Sequence, residues 1–372
     1  MTSQRCPVCG GNMKRHGKTA AGSQRWQCMS CKATKTRKID SGAKKLDAFL
    51  GWLLSAKTQA GMPGQGRSFR RAAERFWKIW PIAPACDEIH HVVYVDGIWL
   101  GRNAVVLIAC TKDHVIGWHA ARSENSGAWA ALMARIAPPD VVATDGGSGF
   151  EKARRAVWPH TRVQRCTFHA FCQVKRQTTT RPKLQAGVEL YGVAKGLLHV
   201  ADADGAAAWT AEFAMWCSRW ESYLKQKTMV EGRMQYRHER LRRARRGLEK
   251  LVRANVLFTY IDESLLEQGG VPATTNLIEG GVNAQLRAML RCHRGMKIDR
   301  RIKAVSWWCL MHTENPPSAA AILQEMPTDG SIADLYRSLE GSNDTESAIA
   351  QWGTAVAWHE LHSSGGYKMD YD

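Results

Sequence analysis

Helical periodicity of apolar residues characterises the segment that follows the first forty residues. The run KKLDAFLGWLLSAK carries its large side chains at helical spacing, at Leu46, Phe49, Leu50, Leu53 and Leu54. A turn, GMPGQG, separates it from a second run, SFRRAAERFWKIW, for which Ser68 is a suitable N-cap. Two short helices around a Gly/Pro turn predict a helix-turn-helix DNA-binding unit over residues 41–85.

The next region, residues 86–172, alternates between strand and helix patterns. Its segments, in chain order, are the strands HHVVYVDGIWL, NAVVLIACT and HVIGWHAA, the helix SGAWAALMARIA with Ser126 near its cap, the strand DVVATDGG, the helix SGFEKARRAVW and the strand TRVQRCTFH. Three strands followed by helix, strand, helix and strand predict the α/β class. The order is that of a ribonuclease-H-like catalytic core, of which this would be the first part.

The pattern changes again after this region. Residues 173–270 are rich in Trp, Arg and Leu without a strand pattern, which predicts an all-helical insertion. Residues 271–315 contain TTNLIEGGVNAQLRAMLR and WWCLMH, which predict closing helices of the core and the end of the folded part. Pro316-Pro317 then marks a break before an acidic C-terminal tail over residues 316–372.

Charge is both large and unevenly distributed. The chain has a formal net charge of +18, which favours a polyanionic partner. Residues 1–45 hold 11 Lys/Arg and one acid, Asp40, whereas residues 316–372 hold nine acids and two bases. This asymmetry indicates a nucleic-acid contact near the N-terminus.

Membrane insertion and secretion are not expected. No apolar run approaches the roughly 20 residues of a spanning helix, and the first residues, MTSQRCPVCGG, lack the apolar centre of a signal peptide. We therefore expect a cytoplasmic protein. For its eleven cysteines, metal binding is favoured over disulfide bonds in that reducing compartment.

Four of these cysteines form two Cys-x-x-Cys pairs, Cys6 with Cys9 and Cys28 with Cys31, separated by 18 residues. This spacing predicts a zinc ribbon over residues 1–40, with one structural Zn²⁺ held by four thiolates. Redox pairs or unengaged thiols are the alternative. The surrounding side chains suit phosphate contact with some stacking, namely Lys14, Arg15, Lys18, Arg25 and Trp26.

Two aspartates follow apolar strand residues. Asp96 ends Val92–Val95 and Asp145 ends Val141–Thr144. Carboxylates side by side at strand ends repel each other, and a divalent cation removes that repulsion. With Glu279 on the closing helix they would complete an oxygen-ligand site for Mg²⁺ or Mn²⁺. The alternatives are Asp-Gly turns at both strand ends and a capping-box role for Glu279.

The motifs VDGIWL, VATDGGSGF, RCTFH and TTNLIEGGVNAQLR resemble those of Mutator-like transposases, including bacterial insertion-sequence enzymes with a DDE triad. The resemblance covers roughly residues 1–315. It implies a DNA transposase that binds terminal inverted repeats, frees 3′-OH ends by hydrolysis and joins them to target DNA. Asp96 would bridge two Mg²⁺ or Mn²⁺ ions, with Asp145 on one and Glu279 on the other.

The resemblance further implies double-stranded DNA as the partner, a homodimer or larger assembly, no nucleotide cofactor, and a bacterial enzyme that associates with the nucleoid when bound to DNA. Cys166 and His169 form a Cys-x-x-His pair typical of the group, and their role stays open. They would shape the site or contact a DNA end. A second zinc site with Cys172 and Cys292-His293, and plain core packing of Cys166, are the alternatives.

Two further sets of basic residues are predicted to contact DNA. The second helix of the helix-turn-helix carries Arg70, Arg71, Arg75 and Lys78. In the insertion, few acids are expected to balance a helical face formed by Arg242, Arg246, Lys250 and Arg253, although a solvated face remains possible. Trp209, Trp216 and Trp220 share a helical stripe, for which core packing is favoured over base stacking.

Two other functions fit the same residues. One is a ribonuclease-H-like DNA nuclease or resolvase that cuts without joining. The other is a non-catalytic DNA-binding regulator derived from a transposase, which the presence of all three carboxylates disfavours.

Overall fold

The computed structural model describes residues 5–20, 22–36, 41–102, 104–267, 269–332 and 334. Within these residues the chain is a mixed α/β protein with one five-stranded mixed sheet, two small sheets and many helices. None of the helices in the described ranges is long and apolar enough to cross a membrane.

The N-terminal segment is a small antiparallel sheet. Its strands are β1 (Met13–Lys18), β2 (Gln24–Cys28) and β3 (Thr34–Thr36), in the order β1-β2-β3. Among the described residues of this segment, only Cys6, Met13 and Cys28 are buried together. A core of this size needs a metal or another staple to hold it, as the composition predicted.

Two helices follow, as predicted for a helix-turn-helix. They are α1 (Gly42–Leu53) and α2 (Arg67–Ala73), with 3₁₀ turns at Gln59–Gly61 and Glu74–Lys78. The prediction that Ser68 caps the second helix is wrong, because α2 begins after Gly66. Gly66 has φ 78°, a left-handed conformation that glycine adopts without strain, and the Ser68 hydroxyl donates to Pro63 O.

The central sheet has five strands. They are β4 (Val92–Trp99), β5 (Val105–Cys110), β6 (Val115–Ala121), β7 (Val141–Thr144) and β8 (Arg162–Arg165). The order is β6-β5-β4-β7-β8; β5 is antiparallel to both neighbours, and β4, β7 and β8 are parallel. The crossovers are α3 (Ser126–Met133) and α4 (Ser148–Val157). Asn125, rather than Ser126, caps α3 through its side chain.

Each face of this sheet has its own apolar core. Val93, Val95 and Leu107 pack with α3 and α4 on one face. Tyr94 and Ile108 pack on the other face with α1, α2 and the later helix Ile298–Met311. The two helices α1 and α2 therefore share a core with the sheet, and the strand that carries Asp96 lies between two packed layers.

The insertion contains mainly helices. They are α5 (Thr167–Thr178), α6 (Gln185–Gly196), α7 (Ala203–Arg219), α8 (Glu221–Leu224), α9 (Glu239–Arg253) and α10 (Glu263–Leu266), with 3₁₀ turns at Leu197–His199 and Thr259–Ile261. The fifth strand ends at Arg165, so the prediction that it extends through RCTFH is wrong: Cys166 caps α5 and His169 lies in its first turn.

The prediction of an all-helical insertion is also wrong at one point. A hairpin of β9 (Lys227–Val230) and β10 (Arg233–Tyr236) interrupts the helices. Its two loop residues, Glu231 and Gly232, both have positive φ, as a two-residue hairpin turn requires. All eight strand residues are exposed, so no alternation of buried and polar side chains signals the strands.

The closing segment extends beyond its predicted end. It contains a π-helical turn (Leu277–Val282), α11 (Asn283–Cys292), α12 (Ile298–Met311) and α13 (Ala319–Glu325). Ile322 and Ile332 are buried in the same core as α1, and Trp80 N donates to Pro327 O. The prediction that the folded part ends near residue 310 is therefore wrong. Most of the acidic tail, residues 335–372, lies outside the described residues.

Candidate active site and cysteine cluster

The two Cys-x-x-Cys pairs come together as the spacing predicted. The Sγ atoms of Cys6 and Cys31 are 3.6 Å apart, those of Cys9 and Cys28 are 3.5 Å apart, and all four lie within 4.8 Å of one another. The backbone N–H of Cys31 lowers the pKa of Cys28 to about 6, which favours the thiolate that zinc binds. These four sulfurs can hold one metal ion and fit a structural Zn²⁺.

Gly11 explains how the two pairs approach so closely. A Cβ at this position would lie 2.9 Å from Ser30 Oγ and 3.3 Å from Cys28 Sγ. The basic side chains named above for this segment are exposed on β1 and β2, whereas Trp26 is half-buried against the cysteine cluster. Arg15 lies over the Trp26 ring, 5.8 Å from its centroid.

The two aspartates occupy neighbouring strands at the same level. The parallel register pairs Val95 of β4 with Thr144 of β7, so Asp96 and Asp145 are the next residues on adjacent strands. Asp145 follows β7 directly, whereas Asp96 lies within β4, which continues to Trp99. The expectation that Asp96 ends its strand is corrected accordingly, but the side-by-side placement is present.

Asp96 is held by two hydrogen bonds. Its Oδ1 accepts from Gly97 N at 2.8 Å, and its Oδ2 accepts from Asn283 Nδ2 at 2.6 Å. Burial raises the pKa of Asp96 to about 7, with additional repulsion from Asp145 and Glu279. The protein therefore stabilises the ionised form of this carboxylate less than water does.

Asp145 has a mixed environment. Burial and the charge of Glu279 raise its pKa, while the cations of Arg165 and His169 act in the opposite direction. The Arg165 side chain is itself buried and donates to Thr144 O at 3.3 Å. Gly146, at φ 72°, allows this arrangement, because a Cβ there would lie 2.8 Å from Arg165 Nε.

Glu279 lies in the π-helical turn, where it is bound by Thr275 and lies close to His169. Its Oε1 accepts from the Thr275 hydroxyl and lies 3.4 Å from His169 Nδ1. The N–H of Thr275 in turn donates to Cys166 Sγ at 3.4 Å. The Cys-x-x-His pair thereby connects the end of β8 to the segment that carries Glu279.

Among the described residues, two clusters of side chains could hold a metal ion. One is the cysteine cluster, and the other brings Cys166, His169 and Glu279 within 4.8 Å of one another. Asp96, Asp145 and Glu279 are near enough to repel electrostatically but do not form a third cluster of that size. Glu279 is instead turned toward Thr275 and His169.

The wider second zinc site does not assemble. Cys172 is not part of the Cys166 cluster. Cys292 is exposed, and His293 is buried with its Nε2 at 2.9 Å from Leu53 O. Of the ligands in that alternative, only Cys166 and His169 come together, and their third neighbour is Glu279.

Sequence reasoning missed two side chains of this site. Glu124, in the loop after β6, accepts from Trp99 Nε1 at 2.6 Å, and its pKa is raised by burial and by Asp145. A lone acid in a loop gives no sequence signal. Asn283 could have been found, because it follows Glu279 by four residues and helical neighbours at that spacing share a face.

The two helices that were predicted to contact DNA differ in how many of their basic side chains form ion pairs. The four basic residues of the helix-turn-helix set, Arg70, Arg71, Arg75 and Lys78, are all exposed. On α9, however, Arg246 pairs with Glu239 at 2.7 Å and Arg253 lies 3.8 Å from Glu249. The expectation of few balancing acids is wrong there.

Arg242 is likewise engaged within the insertion. Its guanidinium lies 3.5 Å from the Tyr236 ring centroid and donates to Leu224 O at 3.0 Å, whereas Lys250 is exposed. Trp209 and Trp216 are buried, and Trp220 is half-buried against the same cluster. The core-packing interpretation of this tryptophan stripe is confirmed.

A scan of the chain against models of protein families finds no match, and a search of curated proteins finds no matching relative.

Proposed function

We propose that this chain is a DNA transposase that cleaves phosphodiester bonds and joins the freed 3′-OH ends to target DNA with divalent metal ions. The observation that carries the proposal is the level placement of Asp96 and Asp145 on parallel strands, with Glu279 close enough to repel both. Three acids gathered in a chain of net charge +18 indicate a cation site next to a polyanion site.

The sheet supports a ribonuclease-H-like core. Its five strands follow the predicted element order, and β4 lies at the centre with β5 on one side and β7 on the other. In such an open sheet the carboxyl ends of the parallel strands form the place where ligands bind. Asp145 and Cys166 both lie at this end, directly after β7 and β8.

The donor set fits Mg²⁺ or Mn²⁺. Both ions prefer oxygen ligands, and Asp96, Asp145 and Glu279 supply carboxylate oxygens. Asn283 Oδ1 is buried without a hydrogen-bond partner beside Asp96, which leaves a further polar oxygen available for a hydrated cation. When bound, a pair of such ions activates the attacking oxygen and stabilises the leaving one.

The remaining residues orient these ligands. Asn283 fixes one oxygen of Asp96, Thr275 and His169 hold Glu279, and Arg165 lowers the repulsion at Asp145. Ligand-orienting contacts of this kind commonly change metal affinity or activity by about 10–100-fold. The Cys166–His169 pair is therefore assigned a positioning role for Glu279.

DNA recognition is assigned to the N-terminal region. The zinc-stapled sheet and the exposed arginines of α2 would contact phosphates of the terminal repeats. Because two ends must be joined to one target, the active form is expected to be a homodimer or larger assembly on double-stranded DNA.

The test uses the zinc-loaded full chain with Mg²⁺ and a DNA duplex carrying an element end. Wild type is expected to nick this duplex, and with a pre-cleaved end it should transfer that end to a plasmid. Asp145→Asn should abolish both reactions.

Asp140→Asn is the matched control, since Asp140 lies just before β7, at its opposite end, and pairs with His91 at the surface. Nicking without transfer would identify a nuclease, and nicking that survives Asp145→Asn would refute the mechanism.

A further inference from the structure

A cavity of about 440 Å³ opens beside the candidate active site, and we call it the arginine pocket. Its lining includes four arginines and one exposed tryptophan, namely Arg287, Arg291, Arg294, Arg301 and Trp99, above the apolar side chains of Leu290 and Met296. None of the described residues that line it is acidic. A concave surface of this composition is suited to an anion attached to a flat ring.

Within the described ranges, the cations of this pocket are not neutralised by acidic side chains. Arg287, Arg291 and Arg294 are exposed, and no acid of the described ranges forms an ion pair with them. On α9, by contrast, most of the basic face is paired with glutamates. Three unpaired cations on one surface repel one another, so an external anion would stabilise the arrangement.

Trp99 provides the flat ring. It is 47% exposed at the end of β4, which is unusual for a tryptophan, and its Nε1 donates to Glu124 at 2.6 Å. This bond fixes the indole orientation and leaves a face free. The ring is thus held ready for stacking against a planar partner.

The pocket is aligned with the candidate active site. Glu279, Asn283, Arg287 and Arg291 follow one another at intervals of four, so they form one stripe along the π-helical turn and α11. Arg287 lies four residues beyond Asn283, or about 6 Å along the axis of α11 at 1.5 Å per residue. Trp99 is three residues beyond Asp96, or about 10 Å along the strand.

We infer that the arginine pocket binds unpaired DNA nucleotides next to the bond that is cut, with arginines on phosphates and one base stacked on Trp99. A paired base has both faces stacked in the duplex, so stacking on Trp99 requires an unpaired one. The inference rests on the proposed function for the position of the cut bond.

The test measures binding of the zinc-loaded full chain to a single-stranded oligonucleotide over a range of salt concentrations. Arg287→Gln/Arg291→Gln should weaken binding about tenfold and reduce the slope of log K against log salt by about 1.4, since each single-strand phosphate contact contributes about 0.7. The matched control is Arg155→Gln/Arg219→Gln, which removes two exposed arginines of α4 and α7. An unchanged slope in the pocket variant, or an equal loss with duplex DNA, would overturn the inference.

A second readout isolates the stacking. A 2-aminopurine base placed in an unpaired stretch next to the cleavage position should be quenched by wild type, equally quenched by Trp99→Phe and unquenched by Trp99→Ala. Equal quenching in all three would overturn the assignment of Trp99. Failure of the proposed function is separable, since it would appear as absent Mg²⁺-dependent nicking while these binding differences persist.

Discussion

Asn283 donates its side-chain amide to Asp96 at 2.6 Å and so joins the closing helix to the central strand. The bond links positions that are far apart in the chain, and Asn283 is fully buried. Since Asn283 follows Glu279 by four residues, the same helical face that carries the third carboxylate also fixes the first. One helical segment therefore carries Glu279 and orients Asp96.

Removal of this contact should impair activity without unfolding the protein. Asn283→Ala is expected to reduce Mg²⁺-dependent nicking about 10–100-fold, because Asp96 loses the group that orients it. Steady-state nicking rates at several Mg²⁺ concentrations measure the effect. Gln285→Ala is the control, since Gln285 is exposed on the same helix. Equal rates for Asn283→Ala and wild type would contradict the positioning role.

The cysteine cluster should bind one zinc ion for structural purposes only. Cys28→Ser is expected to lower the zinc content from about one ion per chain to none. The three cysteines that remain cannot supply the four ligands of a structural site. Atomic absorption of purified protein gives this number, and protease cleavage within residues 5–36 reports the loss of order. Cys172→Ser is the control, as Cys172 packs in the helical insertion. A full zinc content in Cys28→Ser would show that these thiols do not hold the metal.

Acid should destabilise the fold through His119. Burial lowers its pKa from 6.5 to about 4, so the folded state excludes a proton that the unfolded state binds. The associated stability is complete above pH 6.5 and is lost as the pH falls toward 4, by up to about 3 kcal/mol at roughly 1.4 kcal/mol per unit. Urea unfolding across this range should show a smaller decline for His119→Gln than for wild type, with exposed His160→Gln as the control. Parallel curves for all three proteins would exclude His119 as the cause.

The segment after Pro316-Pro317 should contribute to global stability. Ile322 is 1% exposed in the core shared with α1, whereas its neighbour Leu323 is 37% exposed. Ile322→Ala is expected to reduce the free energy of unfolding by about 2–5 kcal/mol, and Leu323→Ala by well under half of that. Denaturant unfolding compares the two variants directly, and equal small losses would mean that α13 does not stabilise the core.

The sequence predicts helices and strands where burial of one face produces a regular spacing of apolar residues. The apolar runs before Asp96 and Asp145 predicted strands, and the parallel pairing of Val95 with Thr144 then places both acids at one level. The hairpin at Lys227–Tyr236 gave no such signal because its side chains are exposed on both faces. Short α13 was missed because a single helical turn or two, after a Pro-Pro pair, resembles a loop.

The site itself was only partly predictable for a related reason. The three carboxylates and the four thiols stand beside recognisable patterns, but Glu124 and the arginine pocket arise only when distant segments meet. The pairing of Arg246 with Glu239 and of Arg253 with Glu249 could have been seen, because both acids lie on α9 itself, whereas the contact of Arg245 with Glu221 of α8 could not. Contacts set by tertiary packing leave no period in the sequence.

Binding of Mn²⁺ to the full chain, followed by electron paramagnetic resonance at pH 8, tests most directly whether the three carboxylates share divalent ions. At this pH Asp96 is mainly ionised, because its pKa is about 7. Wild type and the control Asp140→Asn should bind Mn²⁺ alike, while Asp96→Asn, Asp145→Asn and Glu279→Gln should each weaken binding by tenfold or more. Equal Mn²⁺ affinity in all five proteins would contradict the account.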